Sequence, residues 1–423
     1  MKLRAVKGMH DILPDEIGRW HRLEAAFRAM ASRHGYEEVR TPICEPTALF
    51  VRSIGEATDV VEKEMYSFQR HDDELTLRPE GTAGAARAYL EHTVHARQAV
   101  ARWYYLGPMF RGERPARGRQ RQFHQAGCEI YGDAGPACDA EMIDMLVGFL
   151  RELGVGEVDV LINSLGSGDT RARYRDALVA HLSPRRDELS EESRRRLEKN
   201  PLRILDSKSP RDQELCADAP TVLDVLADDD RAHFDALRRY LDALGTPYRV
   251  DPRLVRGLDY YTRTLFELRG AGGELGAQNA LGGGGRYDGM IAELGGPATP
   301  AIGFALGLER LLLAMSPDAP VSAPLAYLVP LGDPGAVACL VLAKELRAHG
   351  VAAIVDGRGG KLKAMMSRAE QRQATLTVLV GDGELERGVV TVKTMATHAQ
   401  EELPRALAAR VLADRLASTE RQH

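Results

Sequence analysis

Two strand-like segments on either side of a short basic loop are the strongest constraint on the fold. The first segment, 101–110, is rich in aromatic residues, and the second, 121–131, follows after ten residues. Segments of this kind around a short loop are typical of two antiparallel strands joined end to end. The sequence therefore predicts a long β-hairpin with the basic loop at its tip.

The loop carries an excess of positive charge. Over the eleven residues 111–121 the only acidic residue is Glu113. The basic residues of this stretch are Arg111, Arg114, Arg117, Arg119 and Arg121. A guanidinium is permanently charged, and its planar fork matches phosphate oxygens. The loop therefore predicts a polyanion-binding site, with an arginine-rich turn in solvent as the alternative.

The second strand of the hairpin has a polar face. Because alternate strand residues point the same way, Phe123, Gln125, Gly127 and Glu129 share one face. That face offers a stacking ring, an amide, a glycine that permits close approach and a carboxylate. A strand that only filled a core would carry apolar residues there. The alternation therefore favours a binding site over a solvent-exposed turn.

Composition bounds the class of protein. The chain has 423 residues, of which 44% are hydrophobic, and a formal net charge of −5, which suits a soluble protein of two or three domains. The start has no apolar core of the kind that a secretory signal needs, and no run reaches the roughly 18 apolar residues of a membrane span. The five cysteines are scattered and odd in number. A reduced, cytoplasmic protein without a zinc site is expected.

The periodicity of the chain gives a coarse order of elements. Helices are predicted at 16–34, 80–91, 139–153 and 307–315, and strands at 156–163, 248–250 and 261–268. Between 171 and 244 the chain is strongly charged and helical, which we interpret as a solvated helical insertion rather than an RNA-binding surface.

A linker composition separates the end of the chain from the rest. Residues 316–324 contain three prolines, and strands alternate with helices from residue 325 onward. This alternation predicts a small α/β domain. The predicted domains are therefore 1–323, a core with a helical insertion at about 167–244, and 324–423.

Two clusters outside the hairpin could carry chemistry. In LRPEGTA (77–83), Glu80 and Thr82 lie near a predicted helix start. The carboxylate could receive an ammonium group, or it could simply complement the helix dipole. In LVRGLDYYT (254–262), Arg256 precedes a glycine and a tyrosine pair. That segment could equally be an ordinary turn into a core strand.

Two glycine-rich segments follow. GGGGRYDG (282–289) suggests either close approach of a ligand or backbone, or a flexible loop. In AIGFALGLERL (301–311), Gly303 and Gly307 weaken a helix pattern that places Arg310 on a mostly apolar face. A buried arginine needs an anionic partner. Neither G-x-x-x-x-G-K-[ST] nor a strand followed by G-x-G-x-x-G occurs, which excludes those two phosphate cradles.

These segments resemble one family when they are taken in order. The motifs are KGMHDILPDE, LRPEGTA, the arginine-rich hairpin, NPLRILDSK at 200–208, LVRGLDYYT, GGGGRYDG and GLERL. Together they resemble the histidyl-tRNA synthetases, which are class II aminoacyl-tRNA synthetases, over essentially the whole chain. The resemblance implies an α+β fold: an antiparallel sheet of six or seven strands with flanking helices, a helical insertion and a C-terminal α/β anticodon-binding domain. Pro42 falls in the segment that resembles the family's dimer-interface motif.

The resemblance also implies an ATP site. By position, Arg111 would hold the α-phosphate, Phe123 would stack on adenine and Arg310 would bind the far end of the triphosphate. Glu113 and Arg119 fall in the same implied site. Mg²⁺ would enter with ATP, held mainly by phosphates and water.

The implied histidine site has three parts. The α-amino group would meet Glu80, Thr82 and Gln125, and the imidazole would meet Glu129 and Tyr261, with Tyr260 and Tyr287 nearby. Arg256 would bind the carboxylate and the α-phosphate, and with Arg111 it is the implied catalytic pair. The substrate carboxylate is already ionised at neutral pH, so activation needs alignment and charge stabilisation rather than a general base.

The implied reaction activates L-histidine with ATP and transfers it to tRNA(His), in a homodimer, with no membrane or DNA partner. One departure concerns the tRNA: many bacterial members carry glutamine where this chain has Ala116. We hypothesise that Arg114 and Arg117 contact tRNA phosphates there, with Lys361 and Lys363 doing so in the C-terminal domain. The alternatives are a histidine-sensing regulatory subunit of ATP phosphoribosyltransferase and an RNA-binding or kinase-regulatory module.

Overall fold

The computed structural model describes residues 3–55, 58–205, 207–270, 279–315 and 324–420. The chain divides into two compact units, 1–317 and 318–423. Most of the predicted linker at 316–324 lies outside the described residues. Within the described ranges no helix combines the length and apolar character needed to cross a membrane.

The first unit contains ten helices and eleven strands among its described residues. The helices are α1 (Ile17–Arg33), α2 (Thr47–Ile54), α3 (Thr82–Glu91), α4 (Pro136–Glu152), α5 (Gly168–Leu182), α6 (Glu191–Lys199), α7 (Pro210–Leu215), α8 (Asp228–Leu244), α9 (Met290–Glu293) and α10 (Leu308–Ala314). The strands are β1 (Glu37–Glu38), β2 (Cys44–Pro46), β3 (Tyr66–Arg70), β4 (Asp73–Leu77), β5 (Ala101–Phe110), β6 (Gln122–Tyr131), β7 (Val158–Ser164), β8 (Arg249–Val250), β9 (Thr262–Gly270), β10 (Ala280–Arg286) and β11 (Ala301–Gly307). Short 3₁₀ and π turns complete the unit.

An eight-stranded sheet forms the centre of this unit, in the order β1-β5-β6-β11-β10-β9-β7-β8. Its six central strands pair antiparallel, whereas β1 and β8 pair parallel at the two edges. The resemblance implied six or seven strands. The sheet has eight strands because two edge strands of two residues each join it: β8, which the strand predicted at 248–250 covers, and β1, which is too short to show a periodicity.

The predicted hairpin is confirmed along its whole length. β5 and β6 pair without interruption from Ala101 opposite Tyr131 to Phe110 opposite Gln122. At the tip, the backbone amides of Ala116 and Arg119 each donate to the other's carbonyl, which closes a tight turn. Gly118 has a φ of +70° in this turn, a conformation that glycine adopts without steric cost.

The four-glycine run is a strand rather than a flexible loop. It forms β10, which lies between β9 and β11 in the sheet. A Cβ at Gly283 would lie 2.5 Å from the Phe266 carbonyl oxygen, and one at Gly284 would overlap the Gly303 carbonyl. The close approach of backbones is therefore the reason for glycine here. The helix predicted at 307–315 is confirmed as α10, whereas the glycine-interrupted pattern before it, from 301 to 307, is strand β11.

Helices cover one face of the sheet and hold the largest core. Phe27 of α1 makes edge-on ring contacts with Tyr104, Phe149 and Phe304, with centroids 5.6–6.4 Å apart. The 168–244 insertion is helical, as predicted, and has a small core of its own. Its last helix, α8, packs against α4 and so attaches the insertion to the sheet.

The second unit confirms the predicted α/β alternation. Its strands are β12 (Leu325–Pro330), β13 (Ala352–Val355), β14 (Leu376–Val380), β15 (Val389–Thr394) and β16 (Gln400–Pro404), in the order β13-β12-β14-β15-β16. Its helices are α11 (Gly332–Ala348), α12 (Leu362–Gln371), α13 (Asp382–Arg387) and α14 (Arg405–Glu420). The first three strands in the sheet order pair parallel and the last two antiparallel. The sequence did not predict α13 or β16.

Candidate active site

A completely buried carboxylate is the centre of the site in the first unit. Glu129 of β6 accepts three hydroxyl hydrogen bonds: from Thr82 (2.8 Å) and Tyr105 (3.1 Å) at Oε1, and from Tyr287 (2.5 Å) at Oε2. Burial raises the pKa of Glu129 from 4.5 to about 8, although the three hydroxyls favour the ionised form. The structure thus brings together three of the predicted residues, from α3, β6 and the end of β10.

Glycines make the room for this arrangement. A Cβ at Gly303 would overlap the Glu129 carboxylate, and one at Gly81 or Gly127 would overlap the Tyr105 ring. Tyr105 was not predicted from the sequence. It lies directly opposite Gly127 in the hairpin, so the register of the hairpin was the signal that could have found it.

Glu80 has the role of a helix-start residue. Its carboxylate oxygens accept from the backbone N–H groups of Thr82 (2.7 Å) and Ala83 (2.8 Å) in the first turn of α3. Burial raises the pKa of this carboxyl above its ordinary value. The dipole interpretation therefore holds, but each oxygen keeps a lone pair. Glu80 can still accept a further donor.

Gln125 presents an unsatisfied acceptor. Its side chain is buried, and among the described residues its Oε1 has no hydrogen-bond partner. Buried amide oxygens are nearly always paired, so an orphaned one points to a partner that the protein itself does not supply. An ammonium group is a donor of the required kind.

Arg111 and Phe123 stand together near the loop. The Arg111 guanidinium lies 5.4 Å from the centroid of the Phe123 ring, and its Nε donates to the Pro79 carbonyl at 2.8 Å. The cation and the ring thus form one surface, with the charge held over the π face. The surface combines the two groups that a nucleotide requires, a flat apolar face and a phosphate-binding fork.

Arg310 is surrounded by more positive than negative charge. Its Nε donates to the Gly118 carbonyl (3.1 Å) and its Nη1 to the Ala280 carbonyl (2.6 Å). Burial lowers the pKa of Arg310, and repulsion from Arg119 lowers it further, as do Arg256 and Arg111. Glu113, which accepts from Arg119 at 3.2 Å, opposes this. The cluster is therefore suited to an anion.

Arg256 joins this cluster from the segment before β9. Its Nη1 donates to Glu267 at 2.6 Å, and Arg269 shares the same carboxylate. Burial opposes the charge of Arg256, but the neighbouring Tyr261 and Glu267 raise its pKa above the ordinary value. Glu267 was missed, because a carboxylate inside a strand gives no signal in the sequence of which arginine it meets.

The adjacent tyrosines occupy different places. The Tyr260 ring meets the Tyr287 ring edge-on, with centroids 5.7 Å apart. Tyr261 lies beside Arg256, whose pKa it helps to raise, and the two adjacent rings are 4.6 Å apart. Both are buried. Tyr260 is therefore the tyrosine that borders Tyr287 and the Glu129 pocket.

The residues predicted to contact tRNA are at the surface of their units. Arg114 and Arg117 are exposed on the hairpin loop, and Lys361 and Lys363 are exposed at the start of α12. Positive charge at a helix N-terminus is unfavourable to the helix, so these lysines do not serve its stability. Arg368, in the same basic segment, instead pairs with buried Asp356 at 2.8 Å.

No group of three side chains suited to hold a metal ion occurs among the residues that the structure describes. Four of the five cysteines are buried and all are free thiols.

An antiparallel sheet with this hairpin, a buried site on its face and a separate α/β unit are the marks of a class II aminoacyl-tRNA synthetase. A family model described as histidyl-tRNA synthetase matches residues 8–311, and one described as anticodon binding domain matches residues 326–415. The chain belongs to the histidyl-tRNA synthetase family.

Individual relatives agree with this assignment. A histidine–tRNA ligase of Sorangium cellulosum is 65% identical over 98% of this chain and 97% of its own length. The apo structure of Staphylococcus aureus histidyl-tRNA synthetase is 35% identical and matches with a TM-score of 0.82, over 97% of this chain and all of that one. A Bacillus halodurans structure titled as an ATP phosphoribosyltransferase regulatory subunit/histidyl-tRNA synthetase shares the fold, at 22% identity and a TM-score of 0.65, over 87% of this chain and 97% of that one.

Proposed function

We propose that this chain is a histidine–tRNA ligase, which forms histidyl-adenylate from L-histidine and ATP and then transfers histidine to the 3′ end of tRNA(His) in the cytoplasm. The observation that carries this proposal is the buried Glu129 with its three hydroxyl donors, on the same strand face as Gln125 and Phe123. That strand runs from a pocket for a small polar ring to an arginine cluster for a polyanion.

The pocket around Glu129 would select the imidazole. The Glu129 carboxylate would accept from a ring N–H, and the hydroxyl groups of Thr82, Tyr105 and Tyr287 keep it in place. A pocket built to hydrogen-bond a polar side chain leaves buried groups unpaired when a wrong amino acid enters, which can discriminate by about 10⁴–10⁵ without editing. Tyr260 and Tyr261 would border the ring on its other side.

The polar groups beside the pocket would hold the substrate backbone. Glu80, Thr82 and the unpaired oxygen of Gln125 would receive the α-ammonium group. Arg256 would bind the carboxylate and the α-phosphate as they react. The carboxylate oxygen attacks the α-phosphorus, pyrophosphate leaves, and no proton has to move. Fixed guanidinium groups stabilise the charge that develops at phosphorus.

The arginine cluster would bind ATP. Arg111 and Phe123 would contact the α-phosphate and adenine, and Arg310 with Arg119 would hold the far phosphates. The donor set fits Mg²⁺ that enters with ATP, since Glu113 is a hard oxygen ligand beside the cluster and phosphate and water would supply the others. When bound, Mg²⁺ neutralises charge on the leaving phosphates.

The tRNA would contact both proposed domains, 1–323 and 324–423. Arg114 and Arg117 would bind phosphates at the hairpin, and Lys361 with Lys363 at α12. We expect Arg117→Ala to lower the rate of tRNA charging about fivefold at limiting tRNA, while histidine activation stays normal. Unchanged charging would contradict this. A homodimer is proposed from family membership, with Pro42 in the interface segment.

A regulatory subunit is the less supported alternative. The matched anticodon-binding model at 326–415 and the retained arginine cluster favour the enzyme. A histidine-dependent ATP–pyrophosphate exchange assay tests the proposal. We expect exchange with L-histidine alone among the amino acids. A pure, folded protein that binds histidine without exchange would favour the regulatory subunit instead.

A further inference from the structure

A buried ion pair connects α4 to the sheet behind the proposed histidine pocket. Asp139 of α4 and Arg286 at the end of β10 are both 0% exposed. The Arg286 Nη2 lies 2.6 Å from Asp139 Oδ1, and its Nε donates to Oδ2 at 3.0 Å. This is the two-pronged geometry in which arginine fixes a carboxylate most rigidly.

The same carboxylate holds two further elements. Thr264 of β9 donates its hydroxyl to Asp139 Oδ2 at 2.5 Å, and His233 Nε2 of α8 lies 2.9 Å from that oxygen. Burial opposes the negative charge, but His233 and Arg286 lower the pKa of Asp139 below its ordinary value. One side chain thus joins two helices and two strands.

These contacts coincide with an irregularity in the sheet. The pairing of β9 with β10 passes from Leu265 opposite Gly285 to Thr262 opposite Arg286, so β9 carries extra residues there. One of them, Arg263, has a φ of +43°, which is unfavourable for a residue with a side chain. Thr264 and Arg286 stand on the two strands at this bulge. The backbone is strained where Asp139 binds it.

The bulge is also where the pocket tyrosines are attached. Tyr287 directly follows Arg286 and donates its hydroxyl to Glu129 at 2.5 Å, while Tyr261 directly precedes β9. Adjacent residues of an extended chain point to opposite sides. Fixing Arg286 behind the sheet therefore fixes the direction of Tyr287 in front of it.

We propose that Asp139 is a positioning residue for the histidine pocket: it holds the bulge through Arg286 and Thr264, and so sets Tyr287 against Glu129 and Tyr261 beside Arg256. The inference rests on the proposed function, because it concerns the pocket that would select histidine. A buried ion pair is often no more stabilising than apolar side chains of the same volume. Its value here is the fixed geometry that it gives to the strands.

The test compares three variants in the exchange assay. Asp139→Asn removes the charge, and Thr264→Val removes one hydrogen bond without leaving a buried charge unpaired. Asp212→Asn is the matched control, since Asp212 is also completely buried on a helix and accepts from the hydroxyls of Ser190, Ser193 and Ser207 inside the insertion. Circular dichroism and thermal unfolding establish that each variant is folded.

We expect the KM for histidine to rise about tenfold or more in Asp139→Asn and about threefold in Thr264→Val, with the KM for ATP changed less than about twofold. Asp212→Asn should leave both constants unchanged. Equal changes in the two constants, or none, would overturn the inference. If Asp139→Asn does not fold, Thr264→Val decides alone. Wild-type protein without exchange would instead overturn the proposed function, and this inference with it.

Discussion

The two ends of the site satisfy their charges in opposite ways. Glu129 has a raised pKa and already accepts three hydrogen bonds from protein hydroxyl groups before any ligand arrives. Arg310 donates to two backbone carbonyls and is repelled by neighbouring arginines. The Glu129 pocket is therefore suited to select a ligand by its shape and hydrogen bonds. The arginine cluster around Arg310 is suited to bind a polyanion, which would relieve the repulsion between its charges.

The largest effect is expected at the selective end. Glu129→Gln replaces an oxygen that would accept from the imidazole by an N–H donor, so kcat/KM for histidine should fall about 10³-fold, roughly 4 kcal/mol. The KM for ATP should change little. Glu38→Gln is the matched control, because Glu38 also accepts from a tyrosine, Tyr104, on the same sheet. A similar loss in both variants would mean that the sheet, and not the pocket, is affected.

The anionic end should respond through ATP instead. Arg310→Ala removes one fixed cation, and we expect kcat/KM for ATP to fall about 10²-fold with the KM for histidine nearly unchanged. Arg347 is a suitable control, since it also donates to a carbonyl, that of Ala353, but in the second unit. Pyrophosphate exchange measured against each substrate separates the two ends. If Arg310→Ala raised only the KM for histidine, the assignment of Arg310 to the ATP end would be contradicted.

Because the pKa of Glu129 is raised, the free energy of unfolding should depend on pH at the selective end of the site. In the unfolded chain the Glu129 carboxyl loses its proton above about pH 4.5, whereas in the folded protein it keeps the proton up to about pH 8. The stability attributable to the protonated form is therefore lost progressively as the pH rises through this window. Each unit of pKa corresponds to about 1.4 kcal/mol.

Glu129→Gln cannot ionise at this position. We therefore expect its free energy of unfolding to rise by a few kcal/mol relative to that of the wild type when the pH is raised from about 4.5 to about 9. Urea unfolding of both proteins at the two pH values measures this difference. The same difference at both pH values would show that the folded carboxyl titrates normally.

The smallest effect should fall outside both ends, on the tRNA. Changing Lys361 and Lys363 together to glutamate should raise the KM for tRNA about tenfold and make its salt dependence less steep. Histidine-dependent exchange should stay at the wild-type rate. Lys344→Glu, at an exposed position on α11, is the control for added negative charge in the same unit. If Lys344→Glu changed the KM for tRNA as much as the double variant does, non-specific electrostatic attraction would explain the effect better than contacts at α12.

Local pattern was enough to predict the hairpin, because length, aromatic content and loop composition all lie within one stretch of chain. The polar face of β6 followed from alternation alone. Tyr105 was missed although its register opposite Gly127 is implied by the same hairpin. The α/β alternation of the second unit was similarly visible, except for its shortest helix and its edge strand.

Contacts between distant segments could not be predicted from the sequence. Arg286 and Asp139 are 147 residues apart, and neither position carries a periodic signal that identifies the other. The four glycines of β10 are equally compatible with a flexible loop, because a strand without side chains has no hydrophobic pattern. Only the neighbouring backbones explain them.

The glycines around Glu129 also limit how this pocket can change. At Gly81, Gly127 and Gly303 the chain has already given up every side-chain atom, and a single methyl group would overlap Tyr105 or the carboxylate. Any side chain at these positions would displace Tyr105 or the Glu129 carboxylate. Evolution therefore cannot change this wall one residue at a time, and a new ligand preference has to arise at other residues of the site.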